Sequence, residues 1–268
     1  MRILVITSNQ RRHAYVASQL SKSLDVVGVV SESKSPGSNG AELDAEDQAA
    51  ISEHFRERDA VETALLGSVI DWPDTPMLTP DAGGVNSPRV AEWVYTKDPD
   101  FVVLYGSSIV EDPLLSHYHG RIINIHLGLS PYYRGSGTNF WPLVHRRPEC
   151  VGATIHIAVP EVDAGGILAQ VRPGAEVQDR AHELGTKTIV AATNLLPQVI
   201  WGYACGQVHP VRQDLSTGRV FRTRDFNAGA LRTMWGHFGS GMVKEYLDQQ
   251  EQRHAHTPII ELAGNPGL

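Results

Sequence analysis

Short aliphatic runs alternate with helix-like segments through most of the chain. The apolar, β-branched runs at residues 3–6, 25–30, 101–105 and 122–125 are short enough to be buried strands of a parallel sheet. The segment between the first two runs, through about Leu24, has the pattern of a helix. This β-α-β opening predicts an α/β fold with a doubly wound, mostly parallel sheet.

Longer periodic segments predict the covering helices. Residues 44–66 are predicted to form a solvated covering helix, whose apolar stripe consists of Ile51, Phe55, Val61 and Leu65. Further helices are predicted at residues 86–97, from Ile109 to Leu115 and at residues 181–204, the last with an interruption at Pro197. Loops are predicted at residues 31–43 and from Pro73 to Gly84.

The second half of the chain begins with an alternating pattern. Residues 152–158 and 167–171 alternate like strands on either side of a loop at residues 160–166, which predicts an antiparallel hairpin. From Gly206 the sequence becomes rich in Arg, Thr and Gly and contains only short periodic pieces. We therefore predict a main domain at residues 1–205 and a C-terminal extension at residues 206–268.

Composition and charge exclude several classes of protein. The chain has 268 residues and a net charge of -7, and phosphate binding needs clustered Lys and Arg, so no nucleic-acid partner is expected. No apolar run approaches the roughly 18 residues of a membrane span, and the apolar start of the chain is too short for a signal peptide. We therefore predict a cytoplasmic protein without membrane contact. Cys150 and Cys205 lack metal-ligand spacing, and no metal site is expected.

Two polar side chains stand at the end of the strand predicted at residues 122–125. Asn124 and His126 are two residues apart, so they share one face of the strand. The segment that follows, as far as Gly135, contains the breakers of a loop. A carboxamide and an imidazole side by side at a strand end indicate a functional site. The alternative is a capping asparagine beside a satisfied core histidine.

Two further segments point to the same region. Asp163 lies in a loop before Gly165 and Gly166, where the backbone can approach a ligand closely; the alternative is a turn aspartate that binds its own backbone. The turn at residues 106–108 follows the strand at residues 101–105. Ligands of open α/β sheets bind outside the carboxyl ends of strands, although an ordinary connection is the alternative here.

Other polar side chains allow two interpretations each. Thr154 and His156 share a strand face and either line the site or pack in the core. Arg134, Arg146 and Arg147 either meet an anionic substrate or lie solvated in their loops, and we expect the second.

Together, Asn124, His126 and Asp163 are suited to acyl transfer to an amine. The carboxamide and an imidazolium can hydrogen-bond the oxyanion of a tetrahedral intermediate. The carboxylate raises the imidazole pKa and orders proton removal from the attacking amine. No nucleophilic Ser or Cys is required, and Cys150 has no neighbour in the sequence that would activate its thiol.

The motifs around these residues resemble a known family. Asn-Ile-His-Leu-Gly-Leu-Ser-Pro at residues 124–131, followed by Tyr-Arg-Gly at 133–135, resembles the signature of the formyltransferases that use 10-formyltetrahydrofolate. Gly-Ala-Thr-Ile-His at 152–156 and Val-Asp-Ala-Gly-Gly at 162–166 resemble its second half. The resemblance covers about residues 1–205 and implies a Rossmann-like catalytic core.

The resemblance implies roles for individual residues. Asn124, His126 and Asp163 take the family's catalytic positions, and Thr154 takes that of a small hydroxyl residue near Asp163. Ser130 stands where the family usually has Leu, a departure on the acceptor side of the loop. The pterin of the co-substrate is expected between the turn after the 101–105 strand and the Asp163 loop, held largely by backbone groups. The implied cofactor-binding residues are Leu104, Tyr105, Gly106, Ile109, Glu161, Val162 and Asp163.

The acceptor follows by elimination within the family. The extension contains seven Arg or Lys against six Asp or Glu, so it lacks the basic character of tRNA-formylating members. Members acting on a purine ribonucleotide precursor are usually shorter, and hydrolase members carry a regulatory domain before the catalytic one, whereas this chain starts with its strand. We expect N-formyl transfer to a primary amine of a small molecule, with an amino sugar on a nucleotide carrier as the leading candidate.

Two other functions remain open at this point. One is hydrolysis of 10-formyltetrahydrofolate, and the other is folate binding without catalysis, which the complete catalytic set disfavours. Trp235, Phe238 and Tyr246 of the extension offer apolar area for a homodimer contact or for a lid over the pocket. The region at residues 31–85 is expected to shape the acceptor pocket.

Overall fold

The computed structural model describes residues 1–34 and 44–262. The strands, in chain order, are β1 (Arg2–Ser8), β2 (Asp25–Glu32), β3 (Met77–Leu78), β4 (Phe101–Tyr105), β5 (Ile122–His126), β6 (Tyr133–Gly135), β7 (Ala153–Ile157), β8 (Ile167–Val171) and β9 (Arg219–Phe221). The helices are α1 (Arg11–Leu20), α2 (Ala45–Leu66), α3 (Pro88–Lys97), α4 (Leu114–His117), α5 (Trp141–Val144), α6 (Ala181–Ala204), α7 (Ala228–Gly239), α8 (Met242–Asp248) and α9 (Gln250–His256). Short 3-10 turns lie at Gly84–Asn86, Pro148–Cys150 and Thr223–Asp225.

Seven strands of the described chain form one sheet in the order β3-β2-β1-β4-β5-β7-β8. β1 to β5 run parallel to one another, and β7 and β8 complete the sheet as antiparallel strands. β6 and β9 form a separate parallel pair. The doubly wound, mostly parallel α/β fold predicted from the sequence is confirmed, and so is the antiparallel hairpin of β7 and β8.

Helices cover both faces of this sheet. α1 and α6 pack on one face, and α3 with α4 packs on the other. β4 buries every side chain, as expected for a parallel strand that is covered on both faces. Each aliphatic side chain buried in this way contributes about 1.5–3 kcal/mol to folding. Side chains with no exposed surface include Ile3, Val5, Val103, Ile123, Leu196 and Val199.

The strand order creates a crevice at one edge of the sheet. Because β1, β4 and β5 are parallel, their carboxyl ends meet at the same edge. Between β1 and β4 the order changes direction, since β2 and β3 follow on one side of β1 and β5 lies beyond β4. Doubly wound proteins bind ligands in the crevice at such a switch point.

The buried face of α2 differs from the predicted stripe. Phe55 is 40% exposed and Leu65 is 45% exposed, whereas His54 and Glu62 are buried beside Ile51. The inner face of the helix is therefore partly polar, and α2 does not serve only as a solvated cover. Its polar inner face borders the crevice, which explains why apolar periodicity selected the wrong residues.

Two other helix predictions were wrong in detail. The helix predicted from Ile109 to Leu115 begins only at Leu114, because Pro113 disfavours helical geometry in the residue before it. α6 continues through Pro197 without an interruption. An internal proline costs about 3 kcal/mol, and the buried residues Val199 and Ile200 that follow it offset that cost by packing on the sheet.

Smaller differences concern the region before β4. β2 extends through Glu32 into the predicted 31–43 loop, and the short strand β3 lies within the predicted loop after Pro73. Residues 35–43 of the predicted loop lie outside the described residues. The helix predicted at residues 86–97 begins at Pro88, after a 3-10 turn.

The described part of the extension, residues 206–262, lies against the main sheet domain. It contributes β9, which pairs with β6, and the helices α7, α8 and α9. α7 buries Leu231 and Met234 against Leu143 of α5 and Leu184 of α6. No helix in the described part of the chain is both long enough and apolar enough to cross a lipid bilayer.

Candidate active site

A cleft of about 950 Å³ opens at the carboxyl edge of the sheet. Its floor contains Asn124 and His126 at the end of β5 and His156 at the end of β7. Asp163, in the loop before β8, also lines it. The structure therefore brings together the three residues that the sequence predicted, and it adds His156.

The β5–β7 pairing places these side chains beside each other. Asn124 lies opposite His156, and His126 lies opposite Thr154 in the antiparallel register. Directly paired residues of antiparallel strands have their side chains about 4.5–5.5 Å apart on one face. The sequence contained this signal, because His156 shares a strand face with Thr154, but alternation alone left open whether the pair lined the site.

His126 is buried and contacts an acceptor at each ring nitrogen. Its Nδ1 lies 3.2 Å from Oδ2 of Asp163, and its Nε2 lies 2.9 Å from the carbonyl oxygen of Tyr133. A neutral imidazole has one N–H, so only the imidazolium can donate to both of these oxygens. Burial lowers the pKa of His126, while the Asp163 carboxylate and the Tyr133 carbonyl oppose that shift.

His156 contacts the amide of Asn124. Its Nδ1 lies 2.9 Å from the carbonyl oxygen of Ile157, which assigns the ring proton to Nδ1. Its Nε2 then accepts a hydrogen bond from Nδ2 of Asn124 at 3.0 Å. The other hydrogen of that amide reaches Oδ1 of Asp163 over a longer distance of 3.3 Å. Asn124 is thereby oriented with its donor side towards the imidazole and the carboxylate.

The Asp163 carboxylate lies at the centre of this group. Besides the contacts with His126 and Asn124, its Oδ2 accepts a hydrogen bond of 2.8 Å from the backbone N–H of Gly135. Burial raises the pKa of Asp163, but the charge of His126 and the hydrogen bond from the Gly135 N–H favour the carboxylate, and the pKa is lowered to about 2. The carboxylate is therefore ionised at neutral pH.

Thr154 does not take the place near Asp163 that the resemblance implied. Its hydroxyl donates to the carbonyl oxygen of Gly128 at 2.7 Å and accepts from the backbone N–H of Ser130 at 2.9 Å. The side chain of Gln170 donates to the same hydroxyl at 2.9 Å. Thr154 thus holds the loop that follows His126, and Ser130, the departure from the family pattern, is fully buried in that loop.

The expectation of solvated arginines was wrong for Arg134, whereas the side chains of Arg146 and Arg147 remain 35% and 43% exposed. Arg134 is buried, and its nearest carboxylate is that of Glu161, at 4.0 Å. Arg146 pairs with Glu245 at 2.7 Å, and Arg147 pairs with Glu149 at 3.1 Å. Arg146 therefore joins the β6–α5 region to the extension rather than serving as a free loop charge.

The residues expected to hold the pterin border the same cleft, except for Glu161. Leu104, Tyr105, Gly106, Ile109, Val162 and Asp163 line it. Glu161 is exposed and is not among the lining residues of the described chain. Three apolar side chains at the cleft, Ile109, Val159 and Val162, are between 37% and 59% exposed. An apolar surface beside polar groups is typical of a site for a flat, partly polar ligand.

Sequence reasoning missed Glu32, which organises the turn after β4. It is only 2% exposed, and its carboxylate accepts hydrogen bonds from the backbone N–H groups of Ser108 at 2.9 Å and Val85 at 3.2 Å. Lys34 donates to the carbonyl oxygen of Gly106 at 2.7 Å. The end of β2 therefore fixes the turn, and a buried acidic residue closing an apolar strand was the available signal.

A second wall of the cleft comes from α2. His54, Phe55, Arg58 and Glu62 of this helix all line it. Burial lowers the pKa of His54 to about 4, so its ring is neutral at pH 7. The helix thus adds aromatic rings and charged side chains to the cleft, and of these four residues only Phe55 belongs to the predicted apolar stripe.

The carboxylate of Glu62 in this wall lies near two guanidinium groups, one from α1 and one from α2. Arg12 of α1 pairs with Glu62 at 2.6 Å, and Arg58 lies 3.8 Å from the same carboxylate. Glu62 is 3% exposed. Arg58 also pairs at 3.0 Å with Asp59, an exposed residue that does not line the cleft. The side chains that do line this end of the cleft are two guanidinium groups and one carboxylate, so the lining itself carries a net positive charge.

Other candidates from the sequence are outside this chemistry. Cys150 is fully buried, and burial raises the pKa of its thiol to about 12, which makes a catalytic thiolate at neutral pH unfavourable. Within residues 1–34 and 44–262, no group of three or more His, Cys, Asp or Glu side chains is arranged to hold a metal ion.

Comparisons with known proteins identify the family. Residues 1–200 match the family described as Formyl transferase. A phosphoribosylglycinamide formyltransferase from Anaplasma phagocytophilum is similar in structure, with 19% identity, a TM-score of 0.55 and coverage of 83% of this chain and 98% of the other. A sugar N-formyltransferase from a Shewanella species is 18% identical, with a TM-score of 0.53 and coverage of 84% and 78%. The chain belongs to the formyl transferase family, whose enzymes use 10-formyltetrahydrofolate as the formyl donor.

Proposed function

We propose that this enzyme transfers a formyl group from 10-formyltetrahydrofolate to a primary amine of a small molecule, with Asn124, His126 and Asp163 as its catalytic residues. The observation that carries this proposal is the Asp163 carboxylate, which contacts both His126 and Asn124 at the cleft floor. An ionised carboxylate beside a buried imidazole and a carboxamide is the set that acyl transfer to an amine requires.

The donor fits the part of the cleft formed by the turn after β4 and the Asp163 loop. The exposed apolar side chains of Ile109, Val159 and Val162 lie there, and they would cover the faces of a flat ring system. Glu32 and Lys34 fix the turn, so the backbone that would bind the ring edge is already ordered. When bound, the donor supplies an activated formyl carbonyl.

Each polar side chain of the floor then has one task. The Nδ2 hydrogen of Asn124 that spans 3.3 Å to Asp163 is the weaker of its two bonds, so it is the one available to the formyl oxygen. When His126 is charged, its Nε2–H can leave the carbonyl oxygen of Tyr133 and donate to the formyl oxygen instead. Asp163 stabilises that charge and accepts the proton that the attacking amine releases. The same proton would then pass to the donor nitrogen, so that tetrahydrofolate leaves as a neutral amine when its bond to the formyl carbon breaks.

The acceptor is proposed to be an amino sugar on a nucleotide carrier. The wall formed by α2 supports it, since Phe55 offers a ring face and Arg58 lies with Arg12 at the positive end of the cleft. Rings and guanidinium groups are suited to a base and a diphosphate, respectively.

A donor assay tests the reaction itself. The enzyme is incubated with 10-formyltetrahydrofolate alone and with pools of amino-sugar nucleotides, amino acids and polyamines, and both formate and formylated amines are measured. Amine-dependent loss of the donor with one formylated product is the expected result. Rapid formate release without any amine would indicate a hydrolase, and no consumption with any pool would indicate a folate-binding protein.

The acceptor proposal has a separate test on α2. Replacement of Arg58 by Gln removes one guanidinium from the positive end of the cleft, and we expect the KM for a nucleotide-linked amine to rise about 10-fold, because an ion pair with phosphate contributes about 1.4 kcal/mol. The kcat should change little, since Arg58 does not contact His126. Arg56→Gln on the exposed face of the same helix is the matched control. An unchanged KM in the Arg58 variant would contradict this placement of the acceptor.

A further inference from the structure

Gln213 belongs to the extension, beyond the residues that match the family, yet it contacts the loop of Asp163. Its side chain is 7% exposed. Its amide nitrogen, Nε2, donates to the carbonyl oxygen of Asp163 at 2.9 Å and to that of Gly165 at 2.6 Å. One side chain thus closes the Asp163 loop by binding two of its carbonyl groups.

The backbone of Asp163 needs such support. Its φ is +49°, in the left-handed region that non-glycine residues adopt only at an energetic cost. A glycine is also required at position 165, because a Cβ there would collide with the carbonyl oxygen of Ile157. The loop is therefore tightly turned between β7 and β8, and the two bonds from Gln213 hold it in that form.

The chemistry of the two carbonyl groups selects glutamine. Both are acceptors, so the partner must supply two N–H donors from one buried atom, which an amide nitrogen does. The remaining amide oxygen of Gln213 is buried and has no partner within the described chain. An unsatisfied buried oxygen costs free energy, so the bonds made by Nε2 explain the presence of an amide at this place.

A second part of the extension, β9, supports the backbone N–H that binds the Asp163 carboxylate. β9 pairs with β6, whose last residue, Gly135, donates its N–H to Asp163. A Cβ at Gly135 would collide with the carbonyl oxygen of Phe221 in β9, so the two strands approach closely there. Phe221 also stacks on Tyr133 and Trp141. The extension therefore fixes the loop backbone on one side and the carboxylate's N–H partner on the other.

We propose that Gln213 is a positioning residue that holds the Asp163 carboxylate against His126, and that residues 211–221 complete the active site from outside the family's matched region. This inference rests on the proposed function, because it gives Asp163 its catalytic role. The neighbouring bridge between Val211 and Ile167 of β8 anchors the segment that carries Gln213.

The test compares Gln213→Met with Gln207→Leu. Methionine keeps the length and apolar stem of Gln213 but removes both N–H donors, whereas Gln207 is an exposed glutamine of the same extension. We expect kcat to fall 10- to 100-fold in the Gln213 variant with the KM for the donor within 2-fold, because the carboxylate is displaced and the donor's apolar surface is not. The Gln207 variant should match the wild type. Equal kcat in all three folded proteins would overturn the proposal.

An NMR titration of His126 provides a readout that does not require turnover. The charged or titratable groups that face His126 are Asp163, His156 and Arg134, and of these Asp163 favours the imidazolium. Displacement of Asp163 should therefore lower the pKa of His126 in Gln213→Met but not in Gln207→Leu. A loss of kcat with an unchanged His126 titration would show a merely structural role, and this measurement stands even if no amine is formylated.

If the methionine variant does not fold, Gln213→Glu provides the test of the same proposal. A protonated glutamic acid can donate one hydrogen bond to the loop carbonyl groups, but its ionised form repels both. The kcat relative to the wild type should therefore fall further as pH rises through the titration of the new carboxyl group. A constant ratio across that range would overturn the proposal.

Discussion

The side chain of Asp163 contacts three other groups of the candidate site. Its two oxygens contact an imidazole, a carboxamide and a backbone N–H, and its own backbone lies in the left-handed region. Alternation along one strand predicted the pairing of Asn124 with His126. It could not place Asp163, which lies 37 residues beyond His126 and meets it only through the β5–β7–β8 register. The glycines after Asp163 and the family resemblance supplied that residue.

The low pKa of Asp163 predicts a pH-dependent contribution to stability. Its folded pKa of about 2 lies below the unfolded value near 3.8, so the contribution is present above pH 4 and is lost as pH falls towards 2. By linkage it amounts to about 2 kcal/mol at pH 6 and about half of that at pH 3.

Urea unfolding of the wild type and Asp163→Asn at these two pH values measures the contribution. Asparagine keeps the side-chain shape and tolerates the positive φ, so it removes mainly the charge. The difference in unfolding free energy between the two proteins should shrink as the pH is lowered. A difference that is constant from pH 6 to pH 3 would show that the carboxylate is not stabilised by its neighbours.

At the scale of single elements, α2 shows where the sequence pattern was insufficient. Its length was predicted, because helical periodicity and acidic residues after Asp44 mark its start. Its orientation was not, since the pattern counts apolar residues and the face that borders the cleft carries His54 and Glu62. Polar residues on an inner face become recognisable only when the cleft they border is known.

The buried histidine of α2 predicts a second pH effect. His54 is 8% exposed, and its pKa of about 4 lies below the unfolded value of 6.5. Below pH 6.5 the unfolded chain therefore binds a proton at this residue that the folded chain does not, so stability falls with pH until about pH 4. The expected loss at pH 5 relative to pH 7.5 is about 2 kcal/mol.

Comparison with His54→Phe isolates this effect. Phenylalanine keeps a ring beside Phe140 and Phe226 but cannot take up a proton. The wild type should lose about 2 kcal/mol more than this variant between pH 7.5 and pH 5 in urea unfolding. His256→Phe, which replaces an exposed histidine of α9, is the control and should behave as the wild type does. Parallel pH curves for the wild type and the His54 variant would refute the prediction.

At the scale of the molecule, the sequence predicts an extension after residue 205 but does not predict how it packs against the domain. A change in composition at Gly206 located the start of the extension, but composition gives no information about the long-range contacts between the extension and the domain. These contacts include an ion network in which Arg253 lies 3.3 Å from Glu149 and 2.7 Å from Glu245. Tyr246, which the sequence suggested as interface area, is buried within the chain and hydrogen-bonds His254 at 2.8 Å.

The ion network predicts the strength of this attachment. Glu149 is 6% exposed, so removal of Arg253 by substitution with Gln leaves a buried carboxylate with fewer partners. We expect a loss of about 2 kcal/mol in unfolding free energy. Lys244→Gln breaks an exposed pair with Asp248 and should cost at most about 0.5 kcal/mol. Equal losses in the two variants would mean that the network does not hold the extension.

Catalysis of amine-dependent formyl transfer by Asp163 and His126 can be tested in a single experiment. Single-turnover formation of a formylated amine from 10-formyltetrahydrofolate is followed in the wild type and in Asp163→Asn, with donor binding measured by calorimetry. We predict that the rate falls at least about 100-fold, as expected when a group acting in proton transfer is lost, while the donor's Kd changes less than about 3-fold. Transfer at the wild-type rate by a folded Asp163→Asn enzyme would show that the carboxylate of Asp163 has no catalytic role.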